Sequence, residues 1–95
     1  MDTRRLNLQD SFRLASVLSK YVDLDDPQQE PIEFISGIVD KISPEEYLQC
    51  VSLLTREDVE TIKKEISLNI LTFFVEGLKK NQVVSLLGFY KSFGF

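Results

Sequence analysis

Histidine and tryptophan are absent from this chain of 95 residues, and cysteine occurs once. Without histidine, a Ser-His-Asp triad, a Cys-His dyad and an imidazole metal ligand are all excluded. Cys50 alone can form neither an intrachain disulfide nor a thiolate zinc site, and its setting predicts a small buried apolar side chain. One cysteine and no apolar secretory signal at the start are typical of a protein in a reducing cytosol.

Long apolar runs and glycine-rich loops are also lacking. The most apolar stretch, residues 66–75, is interrupted by Ser67, Asn69 and Thr72, whereas a membrane-spanning helix needs about 20 predominantly apolar residues. The four glycines are scattered singly, so no phosphate-binding loop is formed. We therefore expect a soluble protein that neither spans nor binds a membrane.

Acidic residues outnumber basic ones, 15 to 11, for a net charge of −4. This balance disfavours nucleic-acid binding, which usually depends on a basic surface. Residues 23–46 hold eight acidic residues and one basic residue, whereas 77–95 hold three lysines and no acidic residue. The acidic segment of one copy could meet Lys79, Lys80 and Lys91 of another in a homo-oligomer, or both could be ordinary solvated surface.

The acidic residues do not form a catalytic or metal site. If Asp23 and Asp25 began an EF-hand loop, Gln28 would replace its glycine and Phe34 its bidentate glutamate. Glu45 and Glu46 are neighbours on a predicted helix, so they point about 100° apart and do not face one substrate. The sequence thus predicts no catalytic residue, no metal ligand and no cofactor, and hence a protein that is not an enzyme.

Apolar residues recur at i, i+3, i+4 and i+7, the stripe with which an α-helix faces a core. No segment alternates at period two, so strands are not expected. The pattern predicts an all-α fold, a compact bundle of five to six short helices in a single domain over residues 1–95. The five stripes lie in residues 14–21, 35–42, 47–54, 71–78 and 83–90.

Capping residues agree with these helices. Asn7 or Asp10 can begin the first helix, and residues 23–30 are expected to form the main loop before a second helix at Pro31. Ser43, followed by Pro44 and by Glu46 three residues on, forms a capping box at the start of the third helix.

The later helix starts are predicted by the same logic. Thr55, with Asp58 three residues on, should open a short helix that turns Val59, Ile62 and Ile66 inward. Ser67 and Asn81 are the expected caps of the last two helices. Gly77 lies inside a helical stripe, where it would allow close approach of a neighbouring helix or mark a bend.

The C-terminal segment, residues 71–95, is the most informative part of the chain. Its last seven residues contain Phe89, Tyr90, Phe93 and Phe95 and no acidic group. A continuing helix cannot place all four aromatic rings on one face. Either some aromatic surface is left for a partner, or the segment folds back onto the domain's own core.

This segment resembles the tail assembly chaperones of long-tailed, siphovirus-type bacteriophages and prophages. The similarity is carried by an apolar helix that ends in F-V-E-G-L-K-x-N, at residues 74–81, and by F-Y-K-S-x-G-F at residues 89–95. S-F-R-L-A-S-V-L at residues 11–18 and I-S-P-E-E at residues 42–46 are similar too. The resemblance covers most of the chain through helical motifs, none of which is a chemical signature.

The resemblance implies a small, helical, non-enzymatic protein of the cytoplasm of an infected or lysogenic bacterium. Such a chaperone coats the tape measure protein, helps to recruit the major tail protein and leaves before the virion is complete. The chain would be the short form of the chaperone, or the domain that it shares with a longer, frameshifted form.

Because a tape measure protein is long and largely helical, its chaperone should offer apolar surface to helices. We place this surface on the last two predicted helices. Its candidate protein-binding residues are Phe73, Leu78, Val84, Phe89, Tyr90, Phe93 and Phe95. The alternative function is a small helical adaptor or regulatory module, such as an antitoxin or an inhibitor, that binds one globular protein.

Overall fold

In a computed structural model, which describes residues 2–22 and 31–92 of the chain, the fold is all-α. Within these residues there are six α-helices and no strand, as predicted; the expected loop at 23–30 lies outside them. A 3₁₀ turn at Ser19–Tyr21 extends α1. The helices are α1 (Leu8–Leu18), α2 (Pro31–Lys41), α3 (Pro44–Thr55), α4 (Val59–Lys63), α5 (Ser67–Lys80) and α6 (Val83–Ser92).

The first and third helices begin where the capping residues predict. Of the two candidates for α1, Asn7 is the cap, because its Oδ1 accepts the backbone N–H of Asp10 at 2.8 Å. Ser43 Oγ accepts the N–H of Glu46 at 3.2 Å, and Pro44 occupies the first turn of α3. These bonds satisfy N–H groups that the helix itself leaves without partners.

The predicted start of α4 at Thr55 is wrong. Thr55 is the last residue of α3, and its hydroxyl donates to the carbonyl oxygen of Val51 at 2.8 Å. Arg56 then ends α3 in the left-handed conformation, with φ of 63°. The cap of α4 is Asp58, whose Oδ1 accepts the N–H of Thr61 at 2.7 Å.

The start of α5 also differs from the prediction. Ser67 is the first helical residue, and Ile66 stands at the cap position with no side-chain hydrogen bond. Ile66 was expected to face the core with Val59 and Ile62, but it is 65% exposed, while Ile62 is fully buried. Leu71, expected in the core stripe of α5, is 37% exposed.

One continuous apolar core joins all six helices. Apart from Leu71, each predicted stripe faces this core with buried or half-buried side chains. The fully buried apolar members are Leu14, Ala15, Leu18, Ile38, Cys50, Val51, Leu54, Ile62, Phe74, Leu78 and Leu87.

The close packing of α3 on α5 depends on Gly77. A Cβ atom at this position would lie 2.8 Å from Cδ1 of Leu54, closer than real Cβ contacts come, and 3.0 Å from its Cβ, which is tighter than most of them. One turn earlier, the rings of Tyr47 and Phe74 meet edge to face, with centroids 4.9 Å apart. The glycine therefore allows close approach of a helix, the first of its two predicted roles.

Asn81 does not cap α6, contrary to the prediction. Its Oδ1 accepts the backbone N–H of Leu6 at 2.7 Å, and its Nδ2 donates to the carbonyl oxygens of Arg4 and Gly77 at 3.0 and 2.9 Å. Nearby, Lys80 Nζ donates to the carbonyl oxygen of Thr3 at 2.9 Å. Asn81 thus attaches the N-terminal segment, residues 3–6, to the end of α5.

We expect Gly77→Ala to destabilise the protein. The added methyl group requires Leu54 and the backbone of α3 to move, which costs about 1–3 kcal/mol in a packed core and outweighs the better helix propensity of alanine, at most about 1 kcal/mol. Urea unfolding measures the difference. Gly88→Ala on α6 is the control: its Cβ would meet nothing within 4 Å, so it should leave stability unchanged or raise it.

We expect Asn81→Ala to release the N-terminal segment. The amide N–H of Leu6 and the carbonyl oxygen of Arg4 lose their side-chain partner, at a cost of about 1–3 kcal/mol. Hydrogen exchange at Leu6 should accelerate, and urea unfolding should occur at lower concentration. Asn69→Ala, at an exposed position of α5, should change neither; equal effects of the two variants would contradict the role given to Asn81.

Candidate functional site

The structure separates the residues that the sequence grouped as a binding surface. Leu78 is fully buried and Phe73 is half-buried against the core, so Leu78 contacts only its own domain in this conformation. Phe93 and Phe95 lie outside the described residues. Val84, Phe89 and Tyr90 remain, all on α6.

Val84 and Phe89 are both accessible, but they do not form one patch. Val84 is 41% and Phe89 is 60% exposed. Five residues apart on a helix, they point about 140° away from each other. α6 therefore presents apolar side chains on two sides, while Val83 and Leu87 between them are buried in the core.

On the first side, Val84 borders a small cavity of about 200 Å³ at the turn between α5 and α6. Ile35 of α2 and Leu78 of α5 also line it, together with Val83. Leu78 and Val84, two of the candidate binding residues, thus line one cavity, although Leu78 is fully buried. Lys79 and Gln82 at the rim are exposed.

On another side of the bundle, Tyr90 borders a larger open groove of about 670 Å³ above the contact between α1 and α3. The Tyr90 ring meets Phe12 of α1 edge to face, with centroids 6.0 Å apart. We call this the α1–α3 groove. Its apolar lining is Phe12, Val17, Cys50, Leu53, Val59 and Tyr90.

The rim of the α1–α3 groove is polar. It consists of Gln9, Arg13 and Ser16 from α1 and of Gln49 and Ser52 from α3. The groove could not be predicted from the apolar pattern, because its polar lining residues lie on the outer faces of two helices that the sequence does not identify as neighbours. The signal was Phe12 and Leu53, two large apolar residues that stand outside the core stripes.

Cys50 lies at the bottom of the groove and is fully buried. Burial, with a smaller effect of the Glu46 charge, raises the pKa of its thiol to about 12. The reactive thiolate is therefore scarce at neutral pH, and the predicted role of Cys50 as a small apolar side chain is confirmed. In the described part of the chain, no group of three or more His, Cys, Asp or Glu residues could hold a metal ion.

A polar cluster connects the end of α1 with the start of α3. The Tyr21 hydroxyl donates to Glu46 Oε1 at 2.5 Å, and Lys20 Nζ lies 3.2 Å from Glu46 Oε2. These donors hold the pKa of the Glu46 carboxyl below its usual value, the Tyr21 bond having the largest effect. The same bond raises the pKa of Tyr21. Glu46 therefore has a structural role: its carboxylate joins the start of α3 to the turn that extends α1.

The proposed contact between oppositely charged segments stays a prediction, and the structure adds one observation to it. Lys80 Nζ donates a hydrogen bond to the carbonyl oxygen of Thr3 at 2.9 Å, and Lys91 Nζ donates one to that of Val22 at 3.5 Å. Both lysines thus contact their own chain. Residues 23–30, which hold four of the eight acidic residues of the segment 23–46, lie outside the described residues.

We expect Glu46→Gln to make the protein less sensitive to acid. Because the pKa of Glu46 is lowered on folding, the carboxylate stabilises the fold above the usual glutamate value of about pH 4.3, and this stabilisation is lost as pH falls through the lower value of the folded state. The unaltered chain should therefore exceed the variant in unfolding free energy at pH 7, and the difference should shrink below pH 4.

The control for this measurement is Glu45→Gln. Glu45 lies in the same first turn of α3 and is exposed, so both substitutions remove a charge from the same helix terminus. If the two variants gave the same dependence of stability on pH, the Tyr21–Glu46–Lys20 cluster would not be its cause.

Comparison with known proteins adds no assignment to this geometry. Neither a protein family, nor a characterised protein, nor a solved structure matches the chain. Among the described residues, no helix has the length and apolar character needed to cross a membrane.

Proposed function

We propose that this protein is a phage tail assembly chaperone that binds the tape measure protein and helps to recruit major tail subunits. The proposal draws on the resemblance carried by residues 74–81 and 89–95, and an all-α domain is consistent with it. In this function the protein acts as a binding surface and performs no chemistry. It works in the cytoplasm of the bacterial host, in several copies along its partner, and is absent from the mature virion.

The observation that carries the proposal is the apolar surface of α6. Val84 and Phe89, on two sides of α6, expose 41% and 60% of their surface. Val84 borders the small cavity at the α5–α6 turn, and Tyr90, the residue after Phe89, borders the α1–α3 groove. Apolar surface next to a groove is what an amphipathic helix of a long partner would cover.

The test is the mass of the complex, measured by light scattering after size exclusion, with the 11.0 kDa chain alone and with fragments of the tape measure protein. We expect a large complex with several copies of the chain on each fragment. If the chain stayed a monomer and bound none of the fragments, the result would contradict the proposal. It would favour the alternative function, an adaptor that binds one globular target.

We expect the double variant Val84→Ser, Phe89→Ser to weaken binding of the fragments at least tenfold. Each substitution removes apolar area that the partner would cover, at about 25 cal/mol per Å². The matched control is Leu68→Ser, Leu71→Ser, which removes two exposed apolar side chains from α5. Circular dichroism should give the same helicity for both variants, and equal affinities would contradict the placement of the surface on α6.

A further inference from the structure

We infer that the α1–α3 groove seats one amphipathic helix of the partner, with the apolar stripe of that helix on the groove floor and an Asp or Glu beside the stripe paired with Arg13. The inference rests on the proposed function, which identifies the tape measure protein as the partner that supplies the helix. It goes beyond that function because it names a second contact surface, away from the exposed residues of α6, and the chemistry that this surface recognises.

The shape of the groove fits a helix. Its α1 wall extends from Gln9 to Val17, nine residues that span about 12 Å at a rise of 1.5 Å per residue, which is just over two helical turns. Its second wall is the neighbouring helix α3, so the groove is the seam between two packed helices, where the side chains of a third helix can interdigitate. Ser16 and Ser52 on the walls are small and allow close approach.

The groove also has the composition of a binding surface. Its floor is apolar and includes Cys50, which is fully buried, while its rim carries glutamine and serine side chains that can form hydrogen bonds with a partner. An apolar centre within a polar rim is the usual arrangement of a protein interface.

Charge decides which helix fits. Of the described residues that line the groove, Arg13 alone is charged. Its side chain is 63% exposed and lies 3.9 Å from Asp10, at the limit of an ion pair. Asp10 has a closer partner in Arg4, at 3.1 Å, which leaves the Arg13 guanidinium able to bind another carboxylate. A helix with an acidic residue beside its apolar stripe is therefore favoured over a basic one.

The described helices of the same chain do not fill the groove. On α3, Tyr47 and Leu54 face α5, whereas Gln49 and Leu53 line the groove on another side of the helix. The exposed apolar residues at the start of α5 thus lie away from it, and no helix within residues 2–22 and 31–92 occupies the groove.

Two substitutions test the groove with tape measure fragments that the unaltered chain binds. Arg13→Glu reverses the charge at the rim, and Ser16→Tyr fills the groove from an exposed position of α1. Each should raise the dissociation constant at least tenfold. The controls are Arg5→Glu and Ser36→Tyr, the same changes at exposed positions outside the groove, and they should bind as the unaltered chain does.

Cross-linking then locates the partner. Ser16→Cys, labelled with a benzophenone maleimide, should cross-link to the fragment, whereas Ser36→Cys should not. Cys50 should stay unlabelled because it is buried and its pKa is about 12. A cross-link from position 16 to a second copy, or to the chain's own C-terminal residues in the presence of the fragment, would overturn the inference.

The outcomes separate the two proposals. If the unaltered chain binds fragments and the groove variants bind equally well, the groove inference fails and the proposed function stands. If the unaltered chain binds no fragment, both fail.

Discussion

The contact between Gly77 of α5 and Leu54 of α3 is the constraint on which the arrangement of the helices depends. With no Cβ at position 77, the two backbones approach until the side chain of Leu54 covers the glycine. This approach buries Phe74 and brings its ring to Tyr47. α3 therefore stands at the centre of the fold, in contact with α1, α4 and α5, and its remaining outer side forms one wall of the α1–α3 groove.

The N-terminal segment completes this arrangement. Asn81 and Lys80 bind the backbone of residues 3–6, and the N–H of Arg4 donates to the carbonyl oxygen of Leu54 at 2.8 Å. The start of α1 is thereby held near the end of α5, where the chain turns into α6. The result is that α6 packs along α1, which places Tyr90 at the groove and leaves Val84 and Phe89 on its two outer sides.

Much of the fold could be predicted from local pattern, and the failures have a common physical cause. Ser43 and Pro44 act within one helical turn, so the sequence alone identifies their roles, whereas for α1 it narrowed the cap to Asn7 or Asp10. Thr55 and Asn81 have the same chemistry as caps, but their hydrogen bonds go elsewhere: Thr55 to the preceding turn, and Asn81 to a segment 75 residues away. Nothing in the local sequence distinguishes these alternatives.

The fold and the candidate binding surface can be divided into what the sequence predicts and what only the tertiary structure decides. The sequence by itself determined an all-α domain, its main core stripes and the small, buried apolar role of Cys50, because periodicity and side-chain size decide these within a helix. For Gly77 it left a bend and a close approach open, and the contact with Leu54 decided between them. Only the tertiary structure decided that Leu78 is covered, that Val84 and Phe89 lie on opposite sides of α6, and that Phe12, Arg13 and Leu53 border one groove. Those properties depend on which helices become neighbours, and helices far apart in sequence meet through contacts that periodicity does not encode.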